Sequence, residues 1–306
     1  MELKEGIVFR STGSWYEVKE TVTGSMISCR LKGKFKMKNL KVTNPIAVGD
    51  RVLFHPAENI IEDILPRENY VIRQSVHKSA HAHLLAANVD QLILIVTIRS
   101  PKTSLGFIDR FLVTAETFRI PATLVFNKQD ILDPEELDYQ EELTELYTSL
   151  GYGCIKTSTY EPLGIEELKT ALAGKTSLIS GHSGVGKSSL LNTLLPDLDL
   201  ATSEVSGFSD KGVHTTTFAE MFEPESGTRI IDSPGIKELG LMDIEKEELA
   251  HFFPEFRELL GHCRFHNCLH INEPQCAVKN AVDEGEIYLS RYLSYLSMFE
   301  NDDNRR

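Results

Sequence analysis

The run Gly181-His-Ser-Gly-Val-Gly-Lys187-Ser188 limits what this chain can fold into more than any other stretch. It fits GxxxxGK[ST], a loop that works only when a strand leads into it and a helix leads away. Both flanks are present. Leu178 and Ile179 suit a buried strand, and residues 188–195, Ser-Ser-Leu-Leu-Asn-Thr-Leu-Leu, suit a helix. This arrangement aims backbone N–H groups and a helix N-terminus at phosphate oxygens. Gly181, Gly184 and Gly186 let the backbone approach those oxygens with no Cβ in the way. Lys187 is expected to reach the β- and γ-phosphates as a catalytic cation, and the Ser188 hydroxyl to ligate Mg²⁺. His182, Ser183, Val185 and Ser189 complete the expected phosphate-contacting stretch.

The segments before the loop alternate in period. Residues 92–98, Leu-Ile-Leu-Ile-Val-Thr-Ile, form a continuous apolar run, as in a strand buried on both faces. Ile108, Phe111, Leu112, Ala115 and Phe118 then recur at helical spacing. A second apolar strand, 123–126, runs into Asn127-Lys128-Gln129-Asp130. A helix carrying Leu143, Leu146, Tyr147 and Leu150 follows, then a strand at 152–156 and a helix marked by Ile165, Leu168 and Leu172. Strands alternating with helices predict a mainly parallel sheet covered on both faces. Residues 127–130 fit NKxD. Guanine offers N1–H and N2–H₂ as neighbouring donors, and one carboxylate, here Asp130, accepts both. Asn127 can tie the loop together and the Lys128 stem can lie along the base. Thr157-Ser158 stands where a second base-contacting turn is expected.

Beyond the phosphate loop, His214-Thr215-Thr216-Thr217 precedes a strand, and Thr216 is the favoured hydroxyl to complete a Mg²⁺ shell, with Thr215 next. Residues 228–231 lead into Asp232-Ser-Pro-Gly235, a DxxG match. Asp232 is expected to hold Mg²⁺ through water, and the Gly235 N–H to contact the γ-phosphate. Ile236 follows where many GTPases place a water-orienting Gln, so intrinsic hydrolysis should be slow. His214 is the first candidate to position the attacking water. Some GTPases without that Gln bind K⁺ through an Asn in the phosphate loop; the matching position here is Gly184. Known small GTPases run phosphate loop, switch Thr, DxxG, NKxD. Here the order is NKxD, base turn, phosphate loop, Thr, DxxG, a circular permutation. It is expected to attach whatever precedes residue 71 and follows residue 237 near the DxxG switch.

The first seventy residues read differently. Short strands at 6–10, 15–18, 26–30, 51–54 and 60–64 are separated by turn signals, which predicts a small OB-like barrel, with an SH3-like barrel as the alternative. Residues 30–41 hold six Lys and Arg in twelve positions around Phe35, which suits an RNA-contacting loop or a solvated edge strand. Charge is uneven. The chain carries −13, yet residues 1–80 hold 13 Lys and Arg against 9 Asp and Glu, leaving −17 on the rest. A basic head on an acidic body keeps nucleic acid open as a partner. No apolar run reaches membrane-spanning length, and MELKEGIVFRS lacks a signal-peptide core, so a cytoplasmic location is expected and no membrane partner.

Near the C-terminus, Cys263-x₄-Cys268-x-His270-x₅-Cys276 gathers three of the five cysteines and one imidazole, a tetrahedral set for one structural Zn²⁺. His262 and His266 lie close enough to leave the fourth ligand open. Helices are expected over 247–260 and 284–299. His77, His81 and His83 lack thiols or carboxylates at useful spacing and read as part of a solvated linker. The expected fold is multidomain α/β: an OB-like RNA-binding barrel (1–70), a circularly permuted P-loop GTPase domain (71–237) and a helical zinc-binding domain (238–306).

The permuted order, the GHSGVGKSS loop, HTTT and the Cys₃His knuckle together resemble the ribosome small-subunit-dependent GTPases of the RsgA family, over nearly the whole chain. The resemblance implies a cytoplasmic enzyme that binds GTP and GDP. It implies contact with 16S rRNA on the 30S particle late in assembly, and release when particle-stimulated hydrolysis yields GDP and phosphate. Val213 precedes His214 where the family often has a basic residue. A GTP-sensing RNA-binding adaptor without catalytic duty is the competing class. With no oligomerisation signal visible, a monomer is expected.

Overall fold

The computed structural model of the chain describes residues 2–32, 44–74, 82–195, 219–225, 227–232 and 244–300. Five strands open it: β1 (Lys4–Ser11), β2 (Tyr16–Glu20), β3 (Met26–Leu31), β4 (Arg51–His55) and β5 (Ile60–Ile64). β1 pairs with both β2 and β4, β2 with β3, β3 with β5 in parallel, and β5 with β4, so the ladder closes into a barrel. Alternation supplies its core: Val8, Tyr16, Val18, Cys29, Val52, Phe54 and Ile61 point inward and are buried. Gly6 is required by a close approach, since a Cβ there would stand 2.4 Å from Val18 Cγ1. Buried Asp50 accepts 2.6 Å bonds from Arg67 Nε and Nη2 and a 2.8 Å bond from the Ala47 N–H, which fixes the barrel's lower rim.

Residues read as linker prove to include a hairpin, β6 (Tyr70–Gln74) with β7 (Ala82–Ala87). Ala82-His-Leu-Leu-Ala-Ala has no alternation and no β-branched residue. It becomes a strand through pairing with β6 and burial of Leu85 and Ala86 in the same core as Leu92. His83 sits in that strand, opposite Arg73; His77 and His81 lie outside the described residues. Asn69 closes the hairpin's end with reciprocal 2.8 Å bonds to the N–H and C=O of Val89.

The central sheet runs β10 (Gly153–Lys156), β9 (Ala122–Phe126), β8 (Gln91–Val96), β11 (Thr176–Gly181), β13 (Thr228–Asp232), β12 (Glu220–Glu225), with only β12 antiparallel to its neighbour. β8 is buried along its whole length. Leu92, Leu94 and Val96 face one core with helices α1 (Leu105–Phe118) and α2 (Pro134–Ser149). Ile93 and Ile95 face the other, with α3 (Ile165–Leu172) and α4 (Lys187–Leu194). The parallel, doubly covered sheet expected from the sequence is present.

The barrel and this sheet share one ladder of eleven strands, joined where Arg10 of β1 pairs with Glu220 of β12. Glu220 in turn pairs with Asp232. The expected attachment near the DxxG switch therefore divides in two. The chain enters the sheet at Gln91, level with Ser177 and so at the end remote from the phosphate loop, because β8 and β11 are parallel. The barrel nevertheless reaches the switch end through β1.

After residue 244, a 3₁₀ turn (Leu249–Phe252), α5 (Pro254–Arg257), α6 (Ala277–Asp283) and α7 (Leu289–Phe299) surround a small core that also takes Val113 of α1. The single helix expected over 247–260 is broken at Pro254, which has no N–H to give and starts α5 at its first turn. The helix expected over 284–299 begins only at Leu289, since Glu284 caps α6.

Candidate functional site

Asn127, Lys128 and Asp130 follow directly on β9, and each does a separate job. Asn127 is 2% exposed. Its Nδ2 donates to the Val185 carbonyl at 2.9 Å and its Oδ1 accepts from Thr157 Oγ1 at 3.0 Å. Lys128, in the left-handed region at φ 65°, sends Nζ to the carbonyls of Gly184 (2.6 Å) and Ser100 (2.5 Å). Burial of that ammonium lowers its pKa, and the Asp130 charge opposes the shift. Asp130 Oδ1 accepts from Ser158 Oγ at 2.5 Å, and the same Oγ accepts the N–H groups of Tyr160 and Glu161. Ser158 is thus the support of the carboxylate, while Thr157 holds Asn127. The Gln129 N–H donates to the Thr157 carbonyl at 3.2 Å, and its buried Oε1 has no partner among the described residues.

The phosphate loop leaves β11 at Gly181 and enters α4 at Lys187. Gly184 and Gly186 hold φ of 84° and 90°. A Cβ on Gly186 would stand 2.5 Å from Asn127 Nδ2, so this glycine serves both the turn and the approach of the base loop. The buried Val185 side chain anchors the loop from within, and Ser183 is exposed at its crest. His182 stacks on Phe107 of α1 with ring centroids 3.8 Å apart, a contact the motif does not reveal. Gly186 caps α4 without a side chain, so the N–H groups of Lys187, Ser188 and Ser189 form the mouth of the loop.

Asp232, at the end of β13, lies level with Ile179 of β11. Its Oδ1 stands 4.0 Å from Lys187 Nζ, is buried, and has no hydrogen-bond partner among the described residues. Burial raises the Asp232 pKa, only partly offset by Lys187. A buried carboxylate oxygen without a hydrogen bond, beside the phosphate loop, fits a hard divalent cation such as Mg²⁺. His214, Thr215, Thr216, Thr217, Gly235 and Ile236 lie outside the described residues, as does most of the basic stretch 30–41.

A second constellation lies in the C-terminal unit. The ligand atoms of Cys263, Cys268, His270 and Cys276 all fall within 4.8 Å of one another. His270 Nδ1 is 3.3 Å from Cys276 Sγ and 3.6 Å from Cys263 Sγ, and those two sulfurs are 3.9 Å apart. Tetrahedral Zn²⁺ with ordinary bond lengths needs edges of about 3.8 Å between thiolates and about 3.6 Å from thiolate to imidazole, so the donors fit. The Ala277 N–H donates to Cys263 Sγ and the Lys279 N–H to Cys276 Sγ, as the first turn of α6 wraps the site. His270 is held at φ 58° and its carbonyl accepts from Tyr292 OH of α7 at 2.7 Å. Without a metal, burial pushes the Cys268 thiol up to about 12 and the Cys276 thiol up as well, and lowers the His270 pKa. A bound cation reverses the penalty for the thiolates. His262 and His266 are exposed and stand outside this cluster.

Sequence reading missed what joins the two constellations. Arg291 of α7 donates to Asp109 of α1 at 2.7 Å and to Glu255 of α5 at 2.7 Å. Asp109 also accepts from Tyr147 OH at 2.9 Å. A lone carboxylate between Ile108 and Phe111 on an apolar helix was the available signal.

Comparison with known proteins gives a consistent result. Residues 64–242 match the family model described as RsgA GTPase, and residues 5–60 match the RsgA N-terminal domain. A relative from Christiangramia forsetii, called small ribosomal subunit biogenesis GTPase RsgA, is 50% identical over 306 residues, with 98% of this chain and 97% of that protein covered. The protein of that name from Cytophaga hutchinsonii is 52% identical, with 98% and 100% covered. The crystal structure of YjeQ from Thermotoga maritima superposes with a TM-score of 0.80 at 41% identity over 100% of both chains. YloQ, described as a circularly permuted GTPase, gives 0.74 at 30% identity over 100% of this chain and 96% of that one.

Proposed function

The chain belongs to the RsgA GTPase family, and on that premise we propose that it acts in biogenesis of the small ribosomal subunit, as the names of its relatives say of them. It hydrolyses GTP to GDP and phosphate. One observation carries the site reading: Asn127 and Lys128 bond to the carbonyls of Val185 and Gly184, stitching the base loop to the phosphate loop. Only a ligand with both a base and phosphates needs those two loops in fixed relation.

In this reading Asp130, steadied by Ser158, accepts guanine N1–H and N2–H₂. The N–H groups at Gly184 to Ser189 and the Lys187 ammonium hold the phosphates. Ser188, Thr216 and Asp232 would hold Mg²⁺, which when bound neutralises charge on the β- and γ-phosphate oxygens. His214 orients the attacking water, since Ile236 cannot. The Gly235 N–H meets the γ-phosphate. Cys263, Cys268, His270 and Cys276 would hold one Zn²⁺ in a closed, structural site. GTP orders the segments around Thr216 and Gly235, which sets the barrel and C-terminal unit for 16S rRNA, and hydrolysis lets them go. The monomeric state, the cytoplasmic location and the three-unit division at residues 70 and 237 belong to this reading. Among the described residues no helix is long and apolar enough to cross a membrane.

The test is GTP hydrolysis with purified small subunits, with large subunits as control. Stimulation by small subunits alone, lost in His214→Ala with GTP affinity intact, is the expected result. Stimulation unchanged in that variant removes His214 from the mechanism, and no stimulation of the parent protein removes the ribosomal partner.

A further inference from the structure

We propose that Trp15 and Arg30, stacked on the outer wall of the barrel, form a platform for one unpaired nucleobase of an RNA strand. This deepens the ribosomal reading and rests on it only for the source of the RNA.

Trp15 is the chain's single tryptophan, and it is 39% exposed. Its sequence neighbour Tyr16 pairs across strands with Cys29, and both point into the barrel core. By alternation Trp15 and Arg30 emerge together on the outside. The Arg30 guanidinium lies 3.9 Å from the indole centroid. Such stacking covers one face of the indole, and the residue keeps 39% of its surface exposed. Among the described residues Arg30 forms no ion pair, so its N–H donors remain available to a phosphate.

The platform is held in place before any ligand arrives. The Thr12 N–H and Oγ1 both donate to the Trp15 carbonyl, at 3.0 and 3.2 Å, closing the turn from β1 to β2. Beneath it, Tyr16 OH donates to Asn44 Oδ1 at 2.6 Å, and Asn44 Nδ2 donates to Ser11 Oγ at 2.8 Å. An aromatic fixed by its backbone loses little freedom when a base stacks on it.

Location and charge select the occupant. The opposite end of β2 is already engaged: Lys19 pairs with Glu223 of β12 and lies over Phe9. Among the described residues no ion pair engages the Trp15 end. It lies across strands two and three, the face on which five-stranded barrels of this type take oligonucleotides. The next described pair along, Glu17 and Ser28, is polar and exposed, which disfavours docking of an apolar protein surface there. Arg30 also opens the stretch of six basic residues in twelve, in a chain whose net charge is −13. A base on the other indole face, with its phosphate on the guanidinium, satisfies both side chains.

Because Trp15 is alone, its fluorescence reports on the platform directly. The full chain, with GDP bound, is titrated with short oligoadenylate and with the same strand annealed to its complement. The expected result is saturable quenching by the single strand only. Trp15→Ala, checked for intact GDP binding, is expected to weaken oligoadenylate binding roughly tenfold by anisotropy, and Trp15→Phe to retain most of it. Arg30→Met should lower the salt dependence of log affinity by about 0.7. Equal quenching by duplex, unchanged affinity in Trp15→Ala, or quenching by RNA-free small-subunit proteins in place of RNA would each overturn the proposal. Subunit-stimulated hydrolysis, measured in parallel on the parent protein, separates the two readings. Its absence removes the ribosomal partner, and its presence alongside unchanged oligonucleotide binding by Trp15→Ala removes the platform alone.

Discussion

The guanidinium of Arg291 stands 2.7 Å from the carboxylate of Asp109, and the two side chains are 1% and 0% exposed. They lie 182 residues apart in sequence and tie the C-terminal unit to the helix after β8. Replacing Arg291 alone strands Asp109 and Glu255 in a dry seam. Arg291→Met is expected to destabilise the protein by about 3–5 kcal/mol. Urea unfolding measures it, and addition of Asp109→Leu should recover part of the loss.

Gly186→Ala should abolish nucleotide binding while the far half of the sheet stays folded. The new methyl would collide with Asn127 Nδ2 at 2.5 Å, at a φ of 90° that alanine rarely adopts. A strain of about 1–3 kcal/mol is expected at that position. Titration with a fluorescent GDP analogue reads the lost binding, and far-ultraviolet dichroism the retained fold.

Asp130→Asn replaces an acceptor pair with one acceptor and one donor. GTP affinity should fall at least about a hundredfold, and xanthosine triphosphate, with a carbonyl where guanine has its amino group, should gain. Ser158→Ala removes the 2.5 Å bond that steadies Asp130. It should cost about tenfold in GTP affinity without changing base preference. Competition binding with both nucleotides distinguishes the two variants.

Asp232 predicts opposite effects on stability and binding. Burial raises its pKa above the usual 3.8. The folded chain therefore holds this proton to a higher pH than the unfolded chain does. Stability falls as pH rises from the unfolded to the raised folded value, and stays lower above it. Asp232→Asn should accordingly make the nucleotide-free protein more stable at neutral pH, while Mg²⁺-dependent GTP affinity collapses. In the parent protein that affinity should decline as pH falls through the raised pKa. Thermal unfolding and Mg²⁺ titration across the acid range test both halves.

One zinc per chain is expected by atomic emission, and none in Cys276→Ser. Chelation should loosen the C-terminal core and lower the unfolding temperature, because Tyr292 and Tyr295 of α7 bond to carbonyls of the ligand loop.

Local chemistry explains what could be read in advance. The barrel strands end at turns whose residues announce themselves, and the strands around Leu92 and Leu124 are apolar enough to be buried on both faces. The phosphate loop and Asn127–Asp130 are contiguous in sequence, so their geometry follows from a strand end and a glycine. The β6–β7 hairpin gave no such signal: Ala82-His-Leu-Leu-Ala-Ala is a strand only because β6 lies beside it. Pro254 marked a break that helical periodicity over 247–260 masked. The Asp109–Arg291 pair depends on two elements meeting, which neither encodes alone.

The order of the parts also governs when they come into being. During translation Asn127 and Asp130 emerge first, the phosphate loop next and Asp232 later. β11, which carries the loop, lies between β8, made well before it, and β13, made well after. A nascent chain halted before β13 is made therefore leaves one edge of the strand that carries the phosphate loop bare.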